Sequence, residues 1–214
     1  MRSVLVVMSC AVLACGGVRA ANAGLPPENN STIPAMIPIV GHDGAGLPDP
    51  IGEVEVSVRD LANNPVVGSL VVLDFSQCTE LRLCADAHDP GVTVDCAQRT
   101  VRRLSDAQGK ARFRVMGWST GIPGGPGAPR NAAKVYADGV LLGSPNVSIY
   151  DLDGGGVGPA DLAAWLGDFF ANTGLERDDY DNSELVGPSD LSMWLKAYFS
   201  SGSIANCSPG GPCP

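Results

Sequence analysis

The feature that most constrains this chain is a segment near its C-terminus that occurs twice. Residues 157–162 read VGPADL, and residues 186–191, 29 positions later, read VGPSDL. Aromatic and aliphatic side chains beyond the motif recur at the same offset. The matching pairs are Trp165 and Trp194, Leu166 and Leu195, Phe169 and Tyr198, and Phe170 and Phe199. This duplication predicts two copies of one small supersecondary unit that bury a common core.

Each copy of the repeat follows a short acidic loop. Asp151 and Asp153 precede the first copy, and Asp179 and Asp181 precede the second. The apolar residues after each loop follow the i, i+3, i+4, i+7, i+8 spacing of an amphipathic helix. Acidic loops that lead into such helices are typical of paired calcium-binding units. The sequence therefore predicts two loop–helix units whose apolar stripes face each other.

The second loop offers oxygen atoms at the spacing that calcium prefers. A twelve-residue loop supplies ligands from positions 1, 3, 5, 7, 9 and 12. Numbered from the first aspartate, the predicted ligands are Asp179, Asp181, Ser183, the Leu185 carbonyl, a water near Gly187, and Asp190. Position 6 usually requires glycine for its turn, but here it is Glu184, which predicts a strained backbone or a wider loop.

The first loop has a different ligand set. Its predicted metal ligands are Asp151, Asp153 and Asp161, and glycines at 154–156 provide conformational freedom. Position 5 is Gly155, which has no side-chain oxygen, and the loop is one residue shorter. We therefore expect the second loop to bind calcium more tightly than the first. The alternative is that these aspartates only cap two helices, where this residue is common.

The negative charge of the chain is concentrated in the repeat. The formal net charge is -9, and residues 151–200 carry ten acidic and two basic side chains. A chain without a basic stripe gains no affinity from the release of phosphate counterions, so this pattern excludes nucleic acid as a partner. The concentrated negative charge favours cations as binding partners instead.

The N-terminus has the pattern of a secretory signal. The chain begins with a basic residue, continues with an apolar stretch over residues 4–14 and then has small residues. The apolar stretch is too short to span a membrane. Cleavage after Ala20 or Ala23 predicts a signal peptide over residues 1–23 and a secreted protein. Cleavage before Cys15 predicts a lipoprotein anchored at the cell surface. Residues 24–34 are then expected to form a flexible leader.

Residues 35–149 change to short β-type segments. Alternation at period two marks residues 54–58 and 111–115, and an apolar stretch marks residues 70–75. Turn sequences separate the segments, among them Asp138-Gly139 between two short apolar stretches. This spacing predicts an antiparallel β-sandwich.

The β-type segment resembles a bacterial immunoglobulin-like domain of the invasin type. Residues 58–68 (VRDLANNPVVG) and 105–115 (SDAQGKARFRV) carry the resemblance, although the family usually has T-D-x-x-G-x-A where this chain begins with Ser105. An insertion with three cysteines is a further departure. The resemblance implies an immunoglobulin-like sandwich over residues 35–149 that acts as a spacer or an adhesive module.

The repeat resembles a type I dockerin, a module of two calcium loop–helix units that docks onto cohesin domains. The duplication, the loop spacing and the helical stripe over residues 149–201 carry the resemblance. It implies a two-helix domain with EF-hand-type loops over residues 150–201, calcium-dependent folding and a cohesin-like partner. Loop positions 10 and 11, which often set cohesin choice, are Pro188-Ser189 in the second loop and Pro159-Ala160 in the first.

Five cysteines follow the predicted signal peptide. They are Cys78, Cys84, Cys96, Cys207 and Cys213. Export makes disulfides the default, and an odd number leaves one thiol free or paired with another chain. Cys207 and Cys213 are candidates for a small loop within the Cys/Gly/Pro-rich tail at 202–214, and the other pairings stay open. The first three cysteines with His88 also match a zinc set that lacks a C-x-x-C spacing.

A G-x-S-x-G motif at residues 117–121 does not indicate catalysis. A nucleophile elbow requires a helix directly after the serine, whereas residues 123–127 are proline and glycine. Both histidines, His42 and His88, also precede Ser119, although a triad histidine should follow it.

We therefore predict a mainly β, non-enzymatic secreted or surface protein whose small α module mediates calcium-dependent assembly or attachment. One alternative is a carbohydrate-binding or accessory component of a polysaccharide-degrading assembly, which would need exposed aromatic rings. The aromatic residues of the β region are Phe75, Phe113, Trp118 and Tyr136. Another alternative is a calcium-stabilised structural or adhesive surface protein without a cohesin partner.

Overall fold

The computed structural model describes residues 26–42, 47–85, 89–120, 129–172, 176–201, 207 and 211–213. Within these ranges the chain is mainly β, with two helices near its C-terminus. The strands are β1 (Met36–Val40), β2 (Glu53–Ser57), β3 (Leu70–Asp74), β4 (Leu81–Leu83), β5 (Thr93–Asp95), β6 (Thr100–Leu104), β7 (Lys110–Ser119), β8 (Lys134–Ala137), β9 (Val140–Gly143) and β10 (Asn146–Ile149). The helices are α1 (Pro159–Ala171) and α2 (Pro188–Ser201), with short 3-10 helices at Pro50–Gly52 and Glu176–Asp178. The predicted signal peptide lies outside the described residues.

The strands form two five-stranded sheets. The first has the order β10-β1-β7-β2, with β4 also paired to β7, and the second has the order β5-β6-β3-β8-β9. Every pairing in the second sheet is antiparallel. In the first sheet, however, β1 runs parallel to both β10 and β7. The prediction of a purely antiparallel sandwich is therefore wrong at β1, whose partners lie far along the chain, as parallel pairing requires.

The inner faces of the two sheets share one buried core, which is consistent with a β-sandwich. Val56 of β2, Val71 and Leu73 of β3, and Phe113 of β7 are all completely buried in this core. Their sequence neighbours on the strands are more exposed, as period-two alternation predicts. Burial of each such apolar side chain stabilises the fold by about 1.5–3 kcal/mol.

The strands that the sequence predicts are present. Residues 54–58, 70–75 and 111–115 correspond to β2, β3 and β7. Asp138 and Gly139 join β8 to β9 with φ angles of 49° and 82°. Two successive left-handed residues match the right-handed twist of the flanking strands, which is why this dipeptide favours a tight hairpin.

The segment before β1 is attached to the sandwich. Thr32 pairs with Ser57 at the edge of β2, and the Asn30 side-chain amide donates to the carbonyl of Asp60 at 2.8 Å. The described part of the predicted leader, which begins at residue 26, therefore contacts the sandwich at these two residues.

Two disulfides join the C-terminal tail to the sandwich. They link Cys84 to Cys207 and Cys96 to Cys213. The candidate Cys207–Cys213 loop does not form, because the tail lies beside β4, where the Cys213 amide donates to the Leu83 carbonyl at 2.8 Å. The zinc set is likewise excluded, since two of its cysteines are oxidised, and His88 lies outside the described residues. Disulfides are compatible with an exported protein.

The helical pair packs directly on the sandwich. Trp165 of α1 and Trp194 of α2 are buried in one apolar cluster together with Val40 of β1 and Tyr150. The Tyr180 hydroxyl donates to the Ile149 carbonyl at the end of β10, at 3.2 Å. In the ranges that the structure describes, no helix has the length and apolar character needed to cross a membrane.

Candidate metal sites

Two groups of three carboxylates lie where the acidic loops meet the helices. Within each group, one oxygen of every carboxylate lies within 4.8 Å of the others. The first group is Asp151, Asp153 and Asp161, and the second is Asp179, Asp181 and Asp190. In both groups the first and last aspartates are buried and the middle one is exposed. The structure thus brings together all six predicted carboxylate ligands.

The two loops share left-handed backbone conformations at two of their first six positions. Position 4 has a positive φ in both loops, 82° at Gly154 and 58° at Asn182. Position 6 also has a positive φ in both loops, 87° at Gly156 and 70° at Glu184. The strained backbone predicted at Glu184 is therefore present, because this residue occupies a conformation that its glycine counterpart adopts without a steric penalty.

The first aspartate of each loop is held by backbone amides. Asp151 accepts from the amides of Gly154 at 2.6 Å and Gly156 at 2.9 Å. Asp179 accepts from the amides of Ser183 at 2.9 Å and Glu184 at 2.7 Å. These bonds close each loop around its first carboxylate and direct it towards the other two.

The last aspartate of each group is the third residue of its helix. Asp161 accepts from the amides of Leu152 at 2.5 Å and Gly158 at 2.6 Å. Asp190 accepts from the amides of Tyr180 at 2.7 Å and Gly187 at 2.8 Å. Capping thus explains one carboxylate per helix, since each bonds an amide that precedes the first turn. It does not explain why the other two aspartates converge on it.

The loops differ where the second has one extra residue. Val157 and Gly158 correspond to Val186 and Gly187, so Leu185 has no counterpart in the first loop. Within the second loop the Ser183 hydroxyl donates to the Leu185 carbonyl at 3.1 Å, which brings these two predicted ligands into contact. The first loop therefore lacks both the side-chain oxygen of position 5 and the additional carbonyl.

Burial opposes the ionisation of several of these carboxylates. It raises the pKa of Asp161 to about 7, with a further contribution from the charge of Asp151. Burial also raises the pKa of Asp151 and of Asp179. In contrast, a hydrogen bond from the Ser189 side chain lowers the pKa of the exposed Asp181. Clustered, partly buried carboxylates are most stable as anions when a cation lies among them.

The donor set fits a hard divalent cation. Calcium takes six to eight oxygens, and three carboxylates can supply up to six of them before any carbonyl or water is added. The two groups contain oxygen donors alone, without the sulfur or nitrogen atoms that zinc and copper prefer.

The sandwich contacts both loops through residues that lie outside the predicted ligand sets. Gly154 lies against Trp118 of β7, where a Cβ atom would stand 2.8 Å from the indole nitrogen. The Asn146 amide of β10 donates to the Asn182 side chain at 2.8 Å. Each of these residues precedes the loop residue that it contacts by 36 positions, and neither spacing nor composition indicates such contacts.

A buried charge network lies beside the loops. Arg177 is 1% exposed and pairs with Glu80 at 3.0 Å, Asp168 of α1 at 2.5 Å and Asp178 at 3.5 Å. Burial raises the pKa of Asp178 well above its usual value, and a hydrogen bond with Asp168 adds to the effect. The network joins α1 to the segment that precedes β4, and the sequence gives no signal of it beyond the charges themselves.

Three aromatic residues of the β region and the serine of the G-x-S-x-G motif are packed against other parts of the protein. Phe75 and Phe113 are completely buried, and Trp118 is half-buried against the first loop. The Ser119 hydroxyl of the G-x-S-x-G motif is buried at the end of β7 and donates to Glu80 at 3.1 Å. These four side chains therefore form neither a sugar-stacking platform nor an exposed nucleophile.

No protein-family model matches the chain, and no curated protein matches it. Among solved structures, the adhesin InvE of Yersinia pseudotuberculosis matches with 22% identity and a TM-score of 0.25, over 63% of this chain and 29% of that one. The chain thus spans less than a third of the adhesin's length, and at this TM-score the match carries no argument about fold or function.

Proposed function

We propose that this chain is a secreted or cell-surface, non-enzymatic protein whose two acidic loops bind calcium. The observation that carries the proposal is the convergence of three carboxylates in each loop to within 4.8 Å of one another. Two of the three in each group are buried, where like charges need a counter-ion. Left-handed residues at positions 4 and 6 and a group of three carboxylates recur in both copies, as a duplicated metal unit predicts.

Calcium is favoured over magnesium by the nature of the loops. Magnesium requires near-ideal octahedral geometry and retains several waters, whereas calcium accepts larger and more irregular sets of oxygens. In the first loop Asp151, Asp153 and Asp161 would hold the ion. In the second, Asp179, Asp181 and Asp190 would hold it together with Ser183 and the carbonyl of Leu185. Bound calcium neutralises the clustered charge and stabilises the attachment of each loop to its helix.

The two sites are expected to differ in affinity. The second loop has an additional side-chain oxygen and one more residue, so we expect it to bind calcium more tightly, with dissociation constants on the order of 0.1–1 mM as for weak extracellular sites.

The helical pair is proposed to act as a dockerin-like module for assembly or attachment, with a cohesin-like domain as its partner. Pro159 and Ala160 of α1 and Pro188 and Ser189 of α2 are exposed, so these helix N-termini are accessible even though the pair packs on the sandwich. The sandwich would then act as an immunoglobulin-like spacer. These four exposed residues are the ones that the proposal assigns to docking.

Calorimetric titration of the full chain with calcium tests the metal sites. We expect two binding events in the wild type, loss of the tighter one in Asp179→Ala and loss of the weaker one in Asp151→Ala. Glu53→Ala is the control, since it removes one exposed carboxylate of β2 that belongs to neither group. Absence of calcium binding in the wild type, or equal losses in the two loop variants, would contradict the proposal.

Docking is tested separately by binding of the full chain to a panel of immobilised cohesin-type domains. The proposal expects retention in calcium and release by a chelator. If the chain binds calcium but is retained by no member of the panel, the proposal of a cohesin-like partner is wrong. The alternative of a calcium-stabilised surface protein would then stand.

A further inference from the structure

Two tyrosine rings form a direct contact between the loops. Tyr150 and Tyr180 are stacked with ring centroids 4.4 Å apart and planes 5° from parallel. Both side chains are buried, with exposures of 1% and 0%. Their rings lie in the apolar cluster that the two helices share with β1, so neither ring can move without displacing packed neighbours.

The position of each tyrosine connects the stack to a metal loop. Tyr150 immediately precedes Asp151, and Tyr180 lies between Asp179 and Asp181. The Tyr180 amide donates to Asp190 at 2.7 Å, and its hydroxyl donates at 3.2 Å to the Ile149 carbonyl beside Tyr150. A few covalent bonds and one stacked contact therefore separate the first carboxylate of one loop from the first carboxylate of the other.

We propose that the two loops are energetically coupled through the Tyr150–Tyr180 stack, so that calcium at one loop raises the affinity of the other. The inference rests on the proposed calcium binding. Binding at either loop fixes the backbone that carries one ring, and the stack transfers that constraint to the backbone of the other loop. The second ion then requires less ordering than the first, which is the condition for positive cooperativity.

Electrostatic repulsion between the bound ions acts in the opposite direction. Each ion reduces the negative charge that attracts the next one, but this effect depends on charge and distance and not on the aromatic rings. Substitution of a ring at constant charge therefore separates the proposed coupling from simple charge neutralisation.

The experiment compares overall calcium constants in the full chain. Asp153→Ala and Asp181→Ala each alter an exposed ligand and leave one intact loop, and their single-site association constants are measured by calorimetry. For independent loops the wild-type constant for binding both ions equals the product of these two constants. Coupling predicts that the wild-type constant exceeds the product by about fivefold or more, the lower end of typical allosteric coupling.

The tyrosine variants identify the path. In a Tyr150→Leu background we expect the excess over the product to disappear, whereas in a Tyr198→Leu background it should persist. Tyr198 is the matched control because it stacks on Trp194 in the same apolar cluster, at 5.4 Å, but contacts no loop aspartate through that stack. Tyr150→Phe retains the ring and should retain the coupling.

The possible results are distinct. If the wild type binds two ions with a constant equal to the product, the coupling is overturned and the calcium sites stand. If Tyr150→Leu and Tyr198→Leu reduce the excess equally, the coupling through the tyrosine stack is likewise overturned. Absence of calcium binding would instead overturn the proposed function. If Tyr150→Leu does not fold, a wild-type constant equal to the product still overturns the proposal.

Discussion

At Glu184 a charged side chain occupies the left-handed backbone region, with φ at 70°, where the corresponding residue of the first loop is Gly156. The side chain forms one ion pair, with Arg130 at 3.0 Å, and is mostly exposed. An exposed pair of this kind contributes only about 0–1 kcal/mol, so it offsets little of the conformational cost.

We expect Glu184→Gly to be more stable than Glu184→Ala by about 0.5–1 kcal/mol. Both variants lose the ion pair, but only glycine adopts the positive φ without a steric penalty, and this gain exceeds its entropic cost in the unfolded chain. Urea unfolding of the two variants measures the difference. Equal stability, or greater stability of the alanine variant, would show that the loop does not hold residue 184 in the left-handed region.

The Asp161 carboxyl gives the first loop a pH dependence near neutrality. Burial raises its pKa to about 7, and calcium binds the ionised form, so the proton and the metal compete. Below about pH 7 we expect the calcium affinity of the first loop to fall by up to tenfold per pH unit. Above about pH 8 the Asp161 carboxyl is ionised, so it should no longer change this affinity with pH. Titration of Asp181→Ala, in which the first loop is intact, measures this dependence. A constant affinity between about pH 8 and about pH 6 would contradict it.

Among the elements, α1 depends on Arg177 for its attachment to the sandwich. This guanidinium lies among three carboxylates, and its removal would leave their charges buried without a partner. We expect Arg177→Met to lower the free energy of unfolding by about 3–5 kcal/mol. The control is Arg112→Met, which removes a half-exposed arginine paired with Glu55 and should cost only about 0–1 kcal/mol. Similar losses in both variants, measured by urea unfolding, would contradict this role.

The elements also show how far sequence patterns determine the fold. Alternation identifies β2 and β7, and the helical stripe identifies α1 and α2, because each pattern is set by local geometry. It does not identify β1, whose Pro38 cannot donate to a ladder and argues against a central strand. Nor do local patterns indicate that β1 pairs in parallel with β10, since that register depends on packing between distant segments.

The sequence predicts the candidate sites in part, as it does the fold. Ligand spacing within one loop is local, so the six aspartates and the positive φ at Glu184 follow from the sequence. The contacts of Trp118, Asn146 and Arg177 with this region do not, because they arise only when the helical pair packs on the sandwich. The disulfides are another example, since the tail returns to β4 instead of closing on itself.

At the scale of the whole molecule, the helical pair and the sandwich are joined at several places. Both loops contact strands, the 3-10 helix at Glu176–Asp178 lies against β10, and two disulfides attach the tail beyond α2 to the sandwich. Calcium bound at the loops is therefore expected to stabilise the molecule as one unit, with a single unfolding transition, and not only the helical pair.

The most direct test of the calcium sites is urea unfolding of the full chain, followed by tryptophan fluorescence, in calcium and in chelator. With about 10 mM calcium, dissociation constants of about 0.1–1 mM predict an increase in the unfolding free energy of about 1.4–2.7 kcal/mol for each site. Magnesium at the same concentration should produce a smaller increase, and an Asp151→Ala/Asp179→Ala double variant should show none. Equal wild-type stability in calcium and chelator, or an unchanged calcium effect in the double variant, would contradict the assignment of the two loops as calcium sites.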